Sequence, residues 1–404
     1  MNILFLCHRL PYPPNRGGKI RPFNMVRHLA RRHRVTVATL ARTPDEATEG
    51  RPLADHCHEM LVERITSAQG WLRFGMHAAT GYPSTFGYFY SPALHRRVRE
   101  VLDRGDIDAI LVHCSSMGPY VMDHRGCRKV MDFGDADSEK WMEYGRSAPF
   151  PFSLGFRLEA WKVRRFEQRL SERFDACSVT APREREVLGA YVRKPIHVFP
   201  NGVDADYFRP APEAAGSYER DRLIFTGNMS YRPNVEAVQY LVGEVLPRIW
   251  SRRPGARLYI VGMDPTPAVR RLGDGRRVVV TGRVDDIRLY FERSAVALAP
   301  LRIARGLQNK VLEAMAMRVP VVASPQAFNG INAVADRDLL VADGPEAFSR
   351  AALSLLGDAG RREGYAAAAR ACVEENHCWE RILHGLEALV VEGGGRPSAR
   401  VGVA

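Results

Sequence analysis

Residues 295–323 read AVALAPLRIARGLQNKVLEAMAMRVPVVA, and this stretch decides the fold. Ala295–Pro300 is a short apolar run of the kind that forms a strand buried on both faces, and Val319–Ala323 is another. Between them lie a loop carrying Gly306 and a helix that begins near Gln308. Two buried strands joined by a helix form a parallel crossover, the building block of open α/β sheets.

The same rhythm extends in both directions. Arg222–Gly227, Arg257–Gly262 and Arg277–Gly282 precede this unit as strands, several of them ending in Gly or Pro. In the first half, Asn2–Cys7, Arg34–Leu40, Ile107–Val112, Lys129–Asp132 and Ile196–Pro200 read as strands. A Pro- and Gly-rich loop covers Leu10–Gly18, with a helix over about Pro22–Arg32. The expectation is two doubly wound, Rossmann-like α/β domains, over 1–200 and 201–375. A helix at 376–391 is expected to pack back on the first domain, and 392–404 to be a disordered tail because GGGRPS carries no apolar periodicity.

Composition narrows the class. Of 404 residues 46% are hydrophobic and 26% charged, as in a globular protein, and no run approaches the length of a membrane span. Seven scattered cysteines without a Cys-x-x-Cys pair suit a reducing compartment, so a cytoplasmic location is expected. His56-Cys57-His58 lacks a second ligand cluster, and no metal site is expected. A net charge of +12 suits phosphorylated substrates or an anionic membrane face. Nucleic acid is disfavoured because no recognition motif accompanies the charge. Along Gly155–Phe174, Leu158, Trp161, Phe166, Leu170 and Phe174 form an apolar stripe among Arg157, Lys162, Arg164, Arg165, Arg169 and Arg173. That helix either packs on its own domain or faces anionic lipid.

The chemistry concentrates at Pro300–Ala316. The first amides of a helix have no internal acceptor and lie at its positive pole, which suits an anion. Arg302, Arg305 and Lys310 add charge matched to a diphosphate. Glu313, one helical step from Asn309 and Lys310, either faces the same crevice and accepts hydrogen bonds from a diol, or pairs with Arg305 or Lys310 on the surface.

These phrases carry a resemblance. KVLEAMAMRVPVVA (310–323), IHVFPNGVDADYFRP (196–210) and PYPPNRGGKIR (11–21) resemble the retaining family 4 glycosyltransferases of GT-B architecture, two facing Rossmann-like domains with a cleft between them. Within that family the chain looks most like the exopolysaccharide sugar transferases of bacterial exosortase (PEP-CTERM) systems. The resemblance implies that Glu313, second of a Glu-x7-Glu pair, meets the nucleotide ribose, and that Gly306, Leu307, Gln308 and Asn309 meet the diphosphate and sugar. It implies that Gly17 and Gly18 approach that diphosphate from the other domain, and that Arg283 and Val284 after Gly282 meet the base.

Three departures stand out. Arg305 replaces the first glutamate of the pair, which leaves the donor sugar open. The Arg and Lys usual after the first strand of the second domain are missing from Gly227-Asn228-Met229-Ser230-Tyr231-Arg232, so Lys310 with Arg305 or Arg232 is expected to supply that charge. Arg318 stands where the family places a glycine, and a remodelled helix end is expected because a left-handed backbone costs a non-glycine residue ~1 kcal/mol.

On the acceptor side, His113 follows a strand end and is either catalytic or merely packed there. MDFGDADS (131–138) brings three carboxylates, with Asp137 or Ser138 expected to cap a helix and Asp135 open to an acceptor. The resulting expectation is a metal-independent, cofactor-free glycosyltransferase. It would move sugar from a nucleoside diphosphate sugar to a glycan or polyprenyl-linked acceptor, using Lys310, Arg305 and His113. The rivals are a nucleotide-sugar 2-epimerase and a non-catalytic nucleotide-sugar-binding protein. A dinucleotide-dependent dehydrogenase is disfavoured by Arg16-Gly17-Gly18-Lys19, which is not the dinucleotide fingerprint.

Overall fold

The computed structural model describes residues 1–14, 17–211, 218–304 and 307–392. The chain forms two compact units, one of residues 1–200 with 383–404 and one of 201–382. The second unit thus runs past 375, and the helix Trp379–Val391 begins in it and ends in the first.

The first unit holds seven parallel strands: β1 (Asn2–Cys7), β2 (Arg34–Ala41), β3 (Glu59–Arg64), β4 (Ala109–His113), β5 (Arg128–Gly134), β6 (Ala176–Val179) and β7 (Ile196–Val198). Their order is β3-β2-β1-β4-β5-β6-β7. The second unit holds six: β8 (Glu219–Thr226), β9 (Arg257–Val261), β10 (Val278–Gly282), β11 (Ser294–Ala299), β12 (Val321–Ala323) and β13 (Leu340–Val341), in the order β10-β9-β8-β11-β12-β13. Every residue of β4 and β11 is buried, so both faces of each sheet are covered, as long runs without polar alternation require. In both units the order reverses beside the first strand, between β1 and β4 and between β8 and β11. In open α/β sheets ligands bind outside the carboxyl ends of the strands at such a reversal.

Two local expectations are corrected. The first helix spans Gly17–Leu29, so Gly17 and Gly18 lie on its opening turn and not in the preceding loop. The helix Asn309–Ala316 keeps a left-handed end despite Arg318, whose φ is +57°. Val319 N–H donates to Ala314 O (2.9 Å) and Arg318 N–H to Met315 O (3.1 Å), a complete Schellman cap. Arg318 pairs with Glu363, which holds the side chain while the backbone strain remains.

The stripe on the helix Phe152–Arg173 also divides. Phe166, Leu170 and Phe174 are core residues of the first unit, whereas Leu158 and Trp161 are exposed. Among the described residues no helix is long and apolar enough to cross a membrane.

Candidate functional site

In the second unit, the reversal point gathers β8, β9 and the helix that follows β11. Gly227 and Gly262 pass so closely that a Cβ on Gly262 would lie 1.7 Å from Gly227 O. A Cβ on Gly227, whose φ is +151°, would lie 2.7 Å from Asn234 Nδ2 and 3.2 Å from Lys310 Nζ. Glycine is therefore needed for backbone contact and to admit two polar side chains over the strand end.

Lys310 donates to Asn234 Oδ1 and stands over the Phe225 ring, 4.5 Å from its centroid. Asn234 Nδ2 in turn donates to Asn228 O (2.8 Å), and Asn228 Oδ1 accepts from Ser230 N–H (2.8 Å) and its hydroxyl (2.6 Å). Burial pushes the Lys310 ammonium down to about 7, partly opposed by Glu313. It pushes the Glu313 carboxyl up to about 7, opposed by Lys310. Burial thus disfavours the charge of both groups, and each partly offsets the shift of the other.

The helix Asn309–Ala316 has no acidic residue in its first turn, and its cap residue Gln308 makes no side-chain capping bond. Asn309 Oδ1 is buried without a hydrogen-bond partner among the described residues. Leu307 and Val284 pack partly buried against the unit's core, and Arg283 is exposed beyond Gly282. Arg232 stands apart from Lys310, because it is 85% exposed and pairs with Glu236 at 2.7 Å along its own helix. Arg302 lies 5.8 Å from the centroid of the Tyr240 ring. Arg305 and Gly306 lie outside the described residues.

In the first unit, the carboxyl ends of β1, β4 and β5 bring Cys7, His113 and Asp132 into register. His113 Nδ1 lies 2.7 Å from Asp132 Oδ2. Asp132 is wholly buried and accepts also from Arg21 Nε (3.0 Å), Arg21 Nη2 (2.9 Å) and the Ser178 hydroxyl (2.8 Å). Burial opposes its charge, but Arg21 and His113 hold its carboxyl well below the usual carboxylate range. An ionised Asp132 beside Nδ1 fixes the orientation of the imidazole.

The residue after His113, Cys114, has φ +75° and ψ 137°, a strained backbone in a site. Gly18 carries no packing demand, since a Cβ there would meet only Arg9 Cδ at 4.0 Å. That leaves the helix opening accessible.

The capping expectation for Asp137 and Ser138 is corrected. Asp137 accepts from the Ser115 hydroxyl (2.6 Å), while the amides opening that helix are met by Glu184 (to Ala136 N–H, 2.7 Å) and Glu167 (to Ser138 N–H, 3.2 Å). Asp135 is exposed and accepts from Thr180 Oγ1 at 2.9 Å. Arg21 and Asp132 were not singled out from the sequence as a pair. The only local signals were their places in PYPPNRGGKIR and MDFGDADS, and nothing joined two residues 111 positions apart.

Comparison with known proteins places this geometry in a family. Residues 16–207 match the model of Glycosyltransferase Family 4, and residues 220–358 match that of Glycosyl transferases group 1. The phosphatidyl-myo-inositol mannosyltransferase of Mycolicibacterium smegmatis is 26% identical over 290 residues, 69% of this chain and 70% of that one. Among solved structures, sucrose-phosphate synthase from Thermosynechococcus elongatus superposes with a TM-score of 0.69 at 17% identity, covering 96% of this chain and 98% of that one. Anabaena HepE in complex with UDP and glucose gives 0.65 at 15% identity, covering 96% and 99%. The two family matches fall one on each unit, the superpositions span both, and the chain is therefore a family 4 glycosyltransferase of GT-B fold.

Proposed function

We propose that the protein transfers a sugar from a nucleoside diphosphate sugar to a glycan or lipid-linked acceptor, with retention at the anomeric carbon, in exopolysaccharide assembly. The observation that carries the donor half is the uncapped start of the helix Asn309–Ala316, with Lys310 aimed over Gly227 at the reversal point of the second sheet. A diphosphate seated there meets the helix's positive pole and the Lys310 ammonium. The leaving diphosphate is then stabilised without a metal ion, and Glu313 is placed to accept from a ribose diol.

On the acceptor side, His113, oriented by Asp132, offers Nε2 to a sugar hydroxyl, with Asp135 exposed nearby in sequence. A lipid-linked acceptor puts the enzyme at the cytoplasmic face of a membrane. That reading agrees with the lipid acceptor named for the mannosyltransferase relative and the UDP named for HepE. No observation favours the epimerase or the non-catalytic alternative.

The test is calorimetry with UDP, GDP and their sugars in buffer containing a chelator, on wild type, Lys310→Ala and Glu313→Ala. One nucleoside diphosphate is expected to bind at micromolar concentration, weakened tenfold or more by either change (~1.4 kcal/mol). Absence of binding, or binding that both variants retain, overturns the donor site.

A further inference from the structure

The first unit exposes its large apolar side chains in two places. Trp71, Leu72 and Met76 lie on the helix Ser67–Met76; Phe150, Phe152, Leu158 and Trp161 lie on the helix Phe152–Arg173 and the turn before it. Phe150 is 78% exposed, Phe152 67% and Trp71 62%. The two places are joined by buried polar contacts. Lys162 Nζ donates to His77 O (2.9 Å) and Ala78 O (2.8 Å), directly beyond the first helix, and Glu159 accepts from Ser84 N–H (3.1 Å) and Thr85 N–H (2.7 Å). Trp141 stacks on Phe156 at 5.8 Å, fixing the second helix to its predecessor Asp137–Ser147. The side chains on the second helix therefore stand on an element packed against its neighbours, with Phe150 in the turn that leads into it.

The charge around them has one sign. From 144 to 169 the two carboxylates, Glu159 and Glu167, are buried, so every exposed charge is an arginine: Arg146, Arg157, Arg164, Arg165 and Arg169. Arg146 pairs with Glu139 and Arg165 lies over the Trp161 ring at 4.7 Å. Residues 67–80 contain no acid at all. Tryptophan and phenylalanine at the tip, with arginines behind them and the helix's one exposed carboxylate, Glu172, at its far end, match the layering of an anionic bilayer, in which rings enter the acyl boundary and guanidinium groups meet phosphates.

We infer that the faces of the helices Ser67–Met76 and Phe152–Arg173, with the Phe150–Phe152 tip between helices, form a docking surface for an anionic lipid bilayer. This differs from the continuous stripe expected along one helix, since its inner half, Phe166 to Phe174, belongs to the core. The inference supplies the membrane contact on which the lipid-linked acceptor reading above rests. The helix Asp137–Ser147, which follows the carboxyl end of β5, spans on the order of 16 Å at 1.5 Å per residue. It leads from the His113–Asp132 end of the sheet toward the tip, a reach suited to an acceptor whose lipid stays in the bilayer.

The test is co-sedimentation of the full chain with vesicles of phosphatidylcholine alone and of equal parts phosphatidylcholine and phosphatidylglycerol. The variants are F150S/F152S and R164Q/R165Q, with nucleotide binding and sedimentation velocity measured on each. Wild type is expected on the anionic vesicles, with at least tenfold weaker partitioning onto the neutral ones and in 0.5 M salt. Each double variant is expected to lose tenfold or more on anionic vesicles while binding nucleotide as wild type does. Nucleotide binding reports the transferase reading separately, so loss of vesicle binding leaves that reading standing. Equal partitioning of wild type and variants overturns the surface. So does a dimer that F150S/F152S dissolves without changing vesicle binding.

Discussion

Two strand ends built on the same plan treat charge in opposite ways. At the end of β5, Asp132 is saturated by Arg21, His113 and Ser178, and the group closes on itself. At the end of β8, Lys310 has a neutral amide as its hydrogen-bond partner, and Glu313 opposes it only through space. A closed network spends its charge on geometry and holds one imidazole in place. An open one leaves charge available and awaits an ion. The difference separates a positioning site from a binding site within one molecule.

The largest effect should come from opening the closed network. Asp132→Ala leaves the Arg21 guanidinium buried without its carboxylate and should cost about 3–5 kcal/mol of stability, read by urea unfolding. Lys310→Met at the other site should leave stability unchanged or raise it. Equal destabilisation by the two would erase the distinction drawn here.

Gly227→Ala comes next, because its Cβ must displace Asn234 in a left-handed backbone. A loss of about 1–3 kcal/mol, together with weaker nucleotide binding, is expected from thermal unfolding and calorimetry. An unaltered nucleotide affinity would detach the Lys310–Asn234 pair from the donor.

The third prediction concerns pH. Lys310 is lowered to about 7, so its cation is complete below that value and lost as pH rises through it. Glu313, raised to about 7, gains negative charge over the same range. Loss of the Lys310 cation opposes a diphosphate, so nucleotide affinity should fall as pH rises above 7, by up to about tenfold per unit. A flat profile from pH 6 to 9 would place the phosphate elsewhere. The Asp132 group, far below the usual carboxylate range, should contribute no slope there.

The smallest effect is Arg318→Gly, which removes a left-handed arginine from a helix end. A gain of about 0.5–1 kcal/mol is expected, and a loss would mean that the Glu363 pair outweighs the strain.

The buried runs made both sheets legible, because a strand covered on both faces needs no alternation. β3 was missed for the converse reason, since only Leu61 of Glu59–Arg64 is fully buried and its flanks are charged like a loop. The helix start at Asn309 could be read from local chemistry. The Arg21–Asp132 pair could not, because its partners come from separate elements and no local pattern joins them. Phe166, Leu170 and Phe174 show a second limit, as an amphipathic stripe gives a helix its faces without saying which one the domain itself will cover.

The helix Trp379–Val391 has a consequence in time. Glu387 lies 2.9 Å from both His28 and His33, and Arg128 donates to Leu389 O at 2.8 Å. A Cβ on Gly385 would come within 2.9 Å of the Phe199 ring. The first unit's opening helix therefore lacks its cover until some 355 further residues have been synthesised, roughly 20–70 s at ribosomal rates of about 5–20 residues per second. During that interval His28 and His33 face solvent or a chaperone, and the first unit must persist unfinished while the second is made.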